Sequence, residues 1–435
     1  MKPVRVGLLG LGTVGGGVAE VLARNAEEIA RRAGRGIQIV QAAVRSAERP
    51  NPHGIMLTTD PSAVVRNPEV EVVVELMGGI EPARTLVLEA IGLGKHVVTA
   101  NKALIALHGN EVFAKAHERG VMVAFEAAVA GGIPVIKAVR EGLAGNRIEW
   151  LAGIINGTSN FILTEMRDKG RDFADVLAEA QRLGYAEADP TFDVEGVDAA
   201  HKLTILASIA FGIPLQFDKV YTEGISRVTR LDVAYAEELG YRIKLLGIAR
   251  RAEAGVELRV HPTLIPARRL IANVDGVMNA VLVKGDAVGP TLYYGAGAGA
   301  EPTASAVVAD IIDVVRTLTA DPENRVPHLA FQPDAISDLP ILPMAEVETA
   351  YYLRMRAQDR VGVMAQVTRI LADLEISIEA ILQKEPAPGH EDVDIIMLTH
   401  VIRERQMNAA IERIEALDAI TGRVTRIRLE TLNGR

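Results

Sequence analysis

The sequence predicts an α/β protein with three parts: a parallel sheet covered by helices, an α+β domain and a small C-terminal sandwich. Strand-like and helix-like runs alternate over residues 4–143, a pattern typical of parallel strands joined by right-handed crossovers. Runs with the two-residue period of strands return over 241–294. Beyond a proline-rich segment, residues 349–430 read strand, helix, strand, strand, helix, strand, the order of a ferredoxin-like fold.

Composition limits the classes of function. The chain has 435 residues, 49% of them apolar and 24% charged, as in globular proteins. A net charge of −9 without a basic stripe argues against a nucleic-acid partner. No apolar run reaches the ~20 residues that span a bilayer, so we expect no membrane partner. The chain has no cysteine, which excludes disulfides and thiolate metal sites, and we expect a cytoplasmic protein.

A glycine motif follows the first strand. The strand predicted from Val4 to Leu9 leads into GLGTVGGG and then into a helix predicted over 16–32. Gly10, Gly12 and Gly15 complete GxGxxG between strand and helix, where glycines allow a tight turn and close approach of the backbone to a pyrophosphate. The motif therefore predicts a dinucleotide site in a Rossmann-type domain. A plain glycine-rich turn is the alternative.

The end of the second predicted strand bears on the choice of cofactor. Strand 37–44 ends at Arg45, where a site that prefers NAD usually has an acid for the ribose hydroxyl. A guanidinium suits a 2′-phosphate, so we expect NADP, with NAD still possible. Arg45 as an ordinary surface cation is the alternative.

Two further segments lie at strand ends of the predicted sheet. TANK places Lys102 at a carboxyl end, where cofactor and substrate would meet, although a surface lysine that opens a helix would look the same. EAAVAGGIP follows the strand Val121 to Phe125 as a turn of small residues, whose carbonyls could hold a hard cation.

The acidic stretch GYAEADPTFDVEGVDAAHKLTI carries the densest chemistry. Asp198 and Lys202 are one turn apart on a helix predicted over 194–211, which is apolar nearly all the way round. In a core, a lysine needs a partner. Glu187, Asp189 and Asp193 crowd the preceding loop, and such a cluster suits a ligand with an ammonium group. The alternatives are a surface ion pair and a solvated acidic loop.

Two polar or flexible segments complete the candidates. In NGTSNFIL, Asn156, Thr158 and Ser159 are suited to capping a helix and also to reaching a ligand. GAGAGAEPTASAV, over 295–307, opens a helix that would return the chain toward the nucleotide, although a hinge would look the same.

Six motifs in one order resemble those of homoserine dehydrogenases: GLGTVGGG, TANKALIA, EAAVAGGIP, NGTSNFIL, GYAEADPTFDVEGVDAAHKL and GAGAGAEPTASAV. The resemblance covers about residues 1–320. The tail, with AQDRVGVMAQV at its first strand-to-helix turn, resembles an ACT domain, a small-molecule sensor attached to many enzymes of amino-acid biosynthesis. The resemblance implies NAD(P)H-dependent interconversion of L-aspartate 4-semialdehyde and L-homoserine, in threonine, methionine and isoleucine biosynthesis.

The resemblance also implies roles for residues. Lys202 would donate and accept the proton, Asp198 would orient substrate and lysine, and Lys102 would lie beside nicotinamide and substrate. Glu187 matches the residue that binds the substrate amino group, and the implied substrate-binding set is Glu187, Asp193, Gly157 and Thr158. The implied cofactor-binding set is Gly10, Leu11, Gly12, Thr13, Val14, Gly15, Arg45, Lys102 and Gly299. The implied sodium site, largely of backbone oxygens, is Glu126, Val129, Gly131 and Ile133.

The predicted organisation has three domains and a linker. Residues 1–135 form the NAD(P)-binding domain, completed by about 300–320, and 136–299 form the catalytic, substrate-binding and dimerisation domain. A linker over 321–348 precedes an ACT-like regulatory domain over 349–435. The implied partners are the substrate, an amino-acid effector, expected to be L-threonine, and further copies of the chain in a homodimer or homotetramer. This chain has Phe192 where some family members have a second acid.

Two other interpretations fit parts of the sequence. Another ACT-linked amino-acid dehydrogenase, such as a prephenate or phosphoglycerate enzyme, would share the C-terminal pattern, but phosphoglycerate dehydrogenases have the dinucleotide motif in mid-chain. A catalytically silent sensor of nucleotides and amino acids would not need Lys102, Glu187, Asp198 and Lys202 together.

Overall fold

The structure is a computed structural model that describes residues 2–46, 48, 51–322, 325–384 and 392–432. The chain divides into two compact units, each assembled from three separate segments. The first unit comprises Met1–Gly157, Asp198–Val220 and Val277–Leu339. The second comprises Thr158–Val197, Tyr221–Gly276 and Pro340–Arg435.

The elements before residue 157 alternate between strand and helix. The strands are β1 (Val4–Leu9), β2 (Ile37–Ala43), β3 (Met56–Thr58), β4 (Val72–Glu75), β5 (His96–Thr99), β6 (Val123–Ala124) and β7 (Ile148–Ile154). The helices are α1 (Thr13–Arg24), α2 (Ala26–Ala33), α3 (Pro61–Arg66), α4 (Ala83–Gly92), α5 (Lys102–Glu118) and α6 (Val135–Lys137).

The remaining elements include the acidic stretch and the C-terminal domain. The helices are α7 (Gly157–Lys169), α8 (Phe173–Arg182), α9 (Thr191–Val194), α10 (Val197–Phe211), α11 (Arg230–Glu238), α12 (Ala300–Thr317), α13 (Val363–Asp373) and α14 (Glu404–Glu415). The strands are β8 (Tyr221–Thr222), β9 (Tyr241–Ala252), β10 (Gly255–Pro266), β11 (Met278–Gly285), β12 (Gly289–Ala296), β13 (Glu348–Gln358), β14 (Ile378–Gln383), β15 (Asp392–Thr399), β16 (Ile402–Arg403) and β17 (Ile420–Leu429).

The first unit contains the predicted parallel sheet. Its strand order is β3-β2-β1-β4-β5-β6, and every neighbouring pair is parallel. The central strands are apolar and buried, as expected for a sheet covered on both faces. Helix α12 packs on α1 and adds Val307 and Ile311 to the core around β1. The Rossmann-type prediction is confirmed.

The helix predicted over 16–32 is wrong as a single element. Asn25 has non-helical backbone angles (φ −107°, ψ 19°), so α1 ends at Arg24 and α2 begins at Ala26. Asparagine competes with helical hydrogen bonding and has a low helix propensity, which favours a break at this residue. The break lies at the end of α1 that is remote from the glycine motif.

The rest of the first unit supplies a buried helix and an antiparallel ribbon. Strands β12, β11 and β7 pair in that order. The predicted helix 194–211 is shorter than expected, because α9 and α10 are separate helices. From Asp198 to Phe211 every residue of α10 is buried, so its polar side chains must find partners inside the protein.

The second unit contains a sheet that continues into the C-terminal domain. Its strand order is β9-β10-β17-β13-β15-β14, with β8 on β10 and β16 on β13. The predicted βαββαβ order is confirmed by β13, α13, β14, β15, α14 and β17. Strand β17 also pairs with β10 in parallel, through Thr263 with Arg428 and Leu264 with Leu429. The C-terminal domain is therefore hydrogen-bonded to the strands that precede it in the same unit.

Candidate active site

Asp198 lies at the centre of the candidate site. Only 2% of the residue is exposed, and its two carboxylate oxygens contact two different lysines. Lys102 Nζ is 2.9 Å from Oδ1, and Lys202 Nζ donates to Oδ2 at 2.7 Å. Asn156 Nδ2 also donates to Oδ2, at 2.9 Å. The structure thus brings Lys102 to Asp198 and Lys202, which lie far from it in the sequence, and all three were predicted to be catalytic.

Lys102 is positioned by a chain of hydrogen bonds at the ends of β4 and β5. Glu75 is buried and accepts a hydrogen bond from the Thr99 hydroxyl at 2.6 Å. The Thr99 oxygen accepts from the Asn101 backbone N–H at 3.0 Å, and the Asn101 side chain accepts from Leu104 N–H at 3.0 Å, which caps α5. Lys102 is the first residue of this capped helix. Its ammonium group is therefore held at the carboxyl edge of the parallel sheet.

Lys202 is positioned by the helix that also carries Asp198. The two residues are four apart on α10, the spacing that places side chains on one face. Besides Asp198, Lys202 Nζ donates to the backbone carbonyl of Ile155 at 2.7 Å. Ile155 follows β7 directly, so the end of that strand and the start of α10 together determine where the ammonium lies. The surface-pair alternative is wrong, because both residues are buried.

The neighbouring charges keep Asp198 ionised. Burial alone would raise the pKa of this carboxyl, but the ammonium groups of Lys202 and Lys102 outweigh burial and hold its pKa below the usual range. For the neighbouring His201, burial disfavours the charged imidazolium and lowers its pKa to about 4. The His201 ring stacks on Phe217, with 4.3 Å between ring centroids. With both lysines in the ammonium form, the site combines one carboxylate, two ammonium groups and a neutral imidazole.

The glycine motif has the geometry of a dinucleotide loop. Gly10 has a φ of +104°, and a Cβ on Gly15 would lie 2.3 Å from the Gly10 carbonyl oxygen, so no larger residue fits at Gly15. Among the described residues, no atom lies within 4 Å of a Cβ added at Gly12. No side chain caps α1, which begins at Thr13. This combination of an uncapped helix start and open space fits the pyrophosphate of a nicotinamide cofactor.

The other predicted cofactor contacts also lie in the first unit. Leu11, Thr13 and Val14 belong to the loop and first turn of α1. Arg45 is exposed just after β2, the neighbour of β1 in the sheet. Gly299 is the N-cap residue of α12, the helix that packs on α1.

The four residues of the predicted sodium site share one buried turn. Glu126 accepts from the backbone N–H groups of Ile136 and Lys137, each at 2.8 Å, and its own N–H donates to Asp310 at 2.7 Å. Burial, with the nearby Asp310, raises the pKa of Glu126 to about 7. Val129 and Ile133 are buried, and Gly131 has a φ of +47°.

The turn suits a cation only through backbone oxygens. The described residues contain no group of three or more His, Asp or Glu side chains that could hold a metal. A cation that accepts carbonyl ligands would therefore have to bind the main chain here, next to the buried carboxylates of Glu126 and Asp310. That donor set is one a hard cation accepts.

The predicted substrate residues Thr158, Glu187 and Asp193 lie in the second unit. The Thr158 hydroxyl donates to the carbonyl of Tyr185 at 2.6 Å, and the Ser159 hydroxyl donates to the carbonyl of Asp193 at 3.0 Å. The first turn of α7 therefore holds the acidic stretch at two places, Tyr185 and Asp193, which lie on either side of Glu187. The Glu187 side chain between them is exposed. Gly157 opens α7, where a Cβ would lie 2.7 Å from the carbonyl oxygen of Val277.

Glu75 and Ile155 contribute to the site although the sequence analysis did not select them. A carboxylate at the end of the otherwise apolar run VVVE would have identified Glu75. The role of Ile155 is played by a backbone carbonyl, which residue identity does not reveal.

Profiles of three families match the chain. The homoserine dehydrogenase profile matches residues 134–312, and the profile of the homoserine dehydrogenase NAD binding domain matches 10–126. The ACT domain profile matches 351–419. No helix of the described residues is both long enough and apolar enough to cross a membrane.

Similar proteins extend these matches over the whole chain. A homoserine dehydrogenase of Pseudomonas aeruginosa is 69% identical over 437 residues, which cover 100% of both chains. The crystal structure of a homoserine dehydrogenase from Thiobacillus denitrificans is 72% identical, with a TM-score of 0.96, and the match covers 100% of this chain and 99% of that one. A hyperthermophilic archaeal homoserine dehydrogenase in complex with NADPH is 27% identical, with a TM-score of 0.63, over 73% of this chain and 98% of the other.

Together, these matches span both the nucleotide-binding parallel sheet and the segment that contains Asp198. The chain therefore belongs to the homoserine dehydrogenase family, as an oxidoreductase with a nucleotide-binding domain for a nicotinamide cofactor and a C-terminal ACT domain.

Proposed function

We propose that this enzyme interconverts L-aspartate 4-semialdehyde and L-homoserine with NADP as its preferred cofactor, in the biosynthesis of threonine, methionine and isoleucine. The observation that supports the chemistry is the contact of one buried carboxylate, Asp198, with Lys102 and Lys202. Reduction of the aldehyde requires a hydride at carbon and a proton at oxygen. When bound, the nicotinamide supplies the hydride. The cytoplasmic location and the homodimer or homotetramer stay predictions, the latter to be measured by sedimentation velocity.

Lys202 handles the proton in this proposal. As negative charge develops on the substrate oxygen, its ammonium group stabilises that charge and donates the proton; in the oxidation of homoserine it accepts the proton. Asp198 holds Lys202 and Lys102 on its two oxygens, so neither ammonium has to reorganise during the reaction. Lys102 adds a second positive charge beside the reacting oxygen.

The acidic stretch binds the amino group of the substrate in this proposal. Glu187 is an exposed carboxylate between Tyr185 and Asp193, whose backbone carbonyls accept from the hydroxyls of Thr158 and Ser159. Because the backbone on both sides of Glu187 is held, less ordering of this segment is needed when it binds an ammonium group. Asp193 and Gly157 complete the proposed substrate-binding set.

Lys202→Met should lower kcat by about 10²–10⁴-fold, the usual contribution of positioned acid or base catalysis. NADPH binding, measured by fluorescence, should stay near wild type. The matched control is Lys95→Met, because Lys95 is also buried and donates to a backbone carbonyl, that of Asn67. If Lys202→Met keeps the kcat of the Lys95 variant, Lys202 is not the proton donor.

Arg45 should determine the preference for NADP. Its guanidinium is exposed just after β2, which supports a contact with a 2′-phosphate. Arg45→Ala should weaken NADP binding by ~1.5–3 kcal/mol, the value of a hydrogen bond between charged groups, and should leave NAD binding almost unchanged. Dissociation constants for both cofactors measure this difference. Equal losses for the two cofactors would make Arg45 an ordinary surface residue.

Sodium is proposed to bind the turn of Glu126, Val129, Gly131 and Ile133 through backbone oxygens. The support is that this turn contains the buried carboxylate of Glu126 and lies beside the buried carboxylate of Asp310. Sodium chloride should raise the thermal unfolding midpoint above that in choline chloride at equal ionic strength. Identical midpoints in the two salts would remove sodium from the proposal.

The ACT domain is proposed to bind L-threonine and to inhibit the enzyme. Gly362 is the N-cap residue of α13, with a φ of +93°. No atom of the described residues lies within 4 Å of a Cβ added there, which supports a backbone open to a carboxylate. Threonine should inhibit the full chain, and Gly362→Ala should raise the concentration for half-inhibition. Gly422→Ala is the matched control, because Gly422 also has a positive φ and open surroundings.

Two outcomes would contradict the regulatory proposal. If the full chain responds neither to threonine nor to any other amino acid derived from aspartate, the ACT domain does not serve this regulation. If both glycine variants weaken inhibition equally, the start of α13 is not the effector site.

A further inference from the structure

A buried arginine of the ACT domain contacts a segment outside that domain. Arg428 lies on β17 with no exposed surface, and its guanidinium donates to Glu223 Oε2 at 2.7 Å and to the Tyr221 hydroxyl at 3.0 Å. Its Nε donates to Glu404 Oε2 at 2.9 Å. A buried ion pair contributes little net stability compared with apolar packing, although removal of one partner is costly. Stability alone is therefore a weak reason for this arrangement.

The segment contacted by Arg428 is hydrogen-bonded to the acidic stretch at Val194. Tyr221 and Thr222 form β8, which pairs with β10. The backbone N–H of Glu223 donates to the carbonyl of Val260 at 2.8 Å, and the N–H of Ile225 donates to the carbonyl of Val194 at 2.8 Å. Val194 is the last residue of α9, the helix that carries Asp193. The segment 221–225 thus contacts the ACT domain through the side chains of Tyr221 and Glu223, and it contacts the acidic stretch through the backbone of Ile225.

At Gly224 the backbone of this segment packs tightly against the backbone of the acidic stretch. A Cβ at this residue would lie 2.4 Å from the Val194 carbonyl oxygen and 2.5 Å from Glu195 Cα, so backbone lies directly against backbone. Protein interiors are packed too closely to absorb a shift at such a contact. Any displacement of Glu223 is therefore passed to Val194 and Glu195.

We propose that the Arg428–Glu223 ion pair positions the acidic stretch, so that a residue of the ACT domain sets the affinity of the enzyme for homoserine. The contacts run from Arg428 through Glu223 and Gly224 to Val194. The inference rests on the proposed function, because it takes Glu187 and Asp193 as substrate-binding residues. Arg428 and Glu223 are positioning residues and do not touch the substrate.

The test compares full-length variants by steady-state kinetics. Arg428→Met should raise the homoserine KM by roughly 10-fold to 10²-fold, the size expected when a hydrogen bond to the charged amino group of the substrate is lost, with the kcat and the Kd of NADPH near wild type. Arg428→Lys retains the charge and should recover part of the affinity. Glu223→Gln, at a half-buried residue, repeats the test if Arg428→Met does not fold. Gly224→Ala should raise the same KM without any change of charge.

A second buried ion pair on the same strand provides the control. Glu430 pairs with Arg250 at 2.8 Å and with Arg259, which is fully buried, and within the described residues its side chain bonds to no residue of the segment 221–225. Glu430→Gln should lower the unfolding midpoint and leave the homoserine KM near wild type. An equal rise of KM in Glu430→Gln would show that the effect is general destabilisation, and the inference would be overturned.

Glu187→Gln separates this inference from the proposed function. If Glu187→Gln raises the homoserine KM while the Arg428, Glu223 and Gly224 variants do not, the positioning role is wrong and the proposed function stands. If the Arg428 and Gly224 variants raise KM while Glu187→Gln does not, the positioning role stands and the role assigned to Glu187 is wrong.

Discussion

The catalytic arrangement depends on one carboxylate that is buried away from water. Such a group costs several kcal/mol unless it is paired and fully hydrogen-bonded, and Asp198 meets this requirement with Lys102, Lys202 and Asn156. The partners come from the start of α5, from α10 and from the segment after β7. The requirement to satisfy Asp198 therefore brings three separate elements to one point. With both lysines charged, the point carries a net positive charge where an alkoxide would develop.

The residue types of this site could be predicted, but most of its contacts could not. The spacing of Asp198 and Lys202 on one helix face follows from the helical repeat, so their pairing is a local property. The contact of Lys102 with Asp198 is not local, because it depends on how β5 and α10 pack in the first unit. Glu75 could have been selected as the carboxylate that ends the apolar run VVVE, but its contact could not, because its partner Thr99 belongs to the neighbouring strand. Of the alternatives weighed, the other ACT-linked dehydrogenases are excluded by the matches to homoserine dehydrogenases.

The same difference between local patterns and long-range contacts applies to the fold. Strand and helix order was predicted for the nucleotide-binding and ACT domains, because glycine motifs and apolar periodicity act over a few residues. The parallel pairing of β17 with β10 was not, since sequence periodicity does not name the partner of an edge strand. That pairing brings Arg428 to Glu223. An ACT domain seen in the sequence as an attached sensor is thus also part of the sheet of the second unit.

The central claim is that Asp198 holds two lysines in their catalytic form, and the pH dependence of Asp198→Asn tests it most directly. Asparagine retains the shape but removes the charge between two ammonium groups, and like charges that lie close together favour the loss of a proton. For reduction of the aldehyde, which requires the ammonium form of Lys202, the account predicts a kcat lower by about 10²-fold or more. It also predicts that the alkaline limb of the kcat/KM profile moves to lower pH, with NADPH binding unchanged. A profile and kcat like those of the wild type would contradict it.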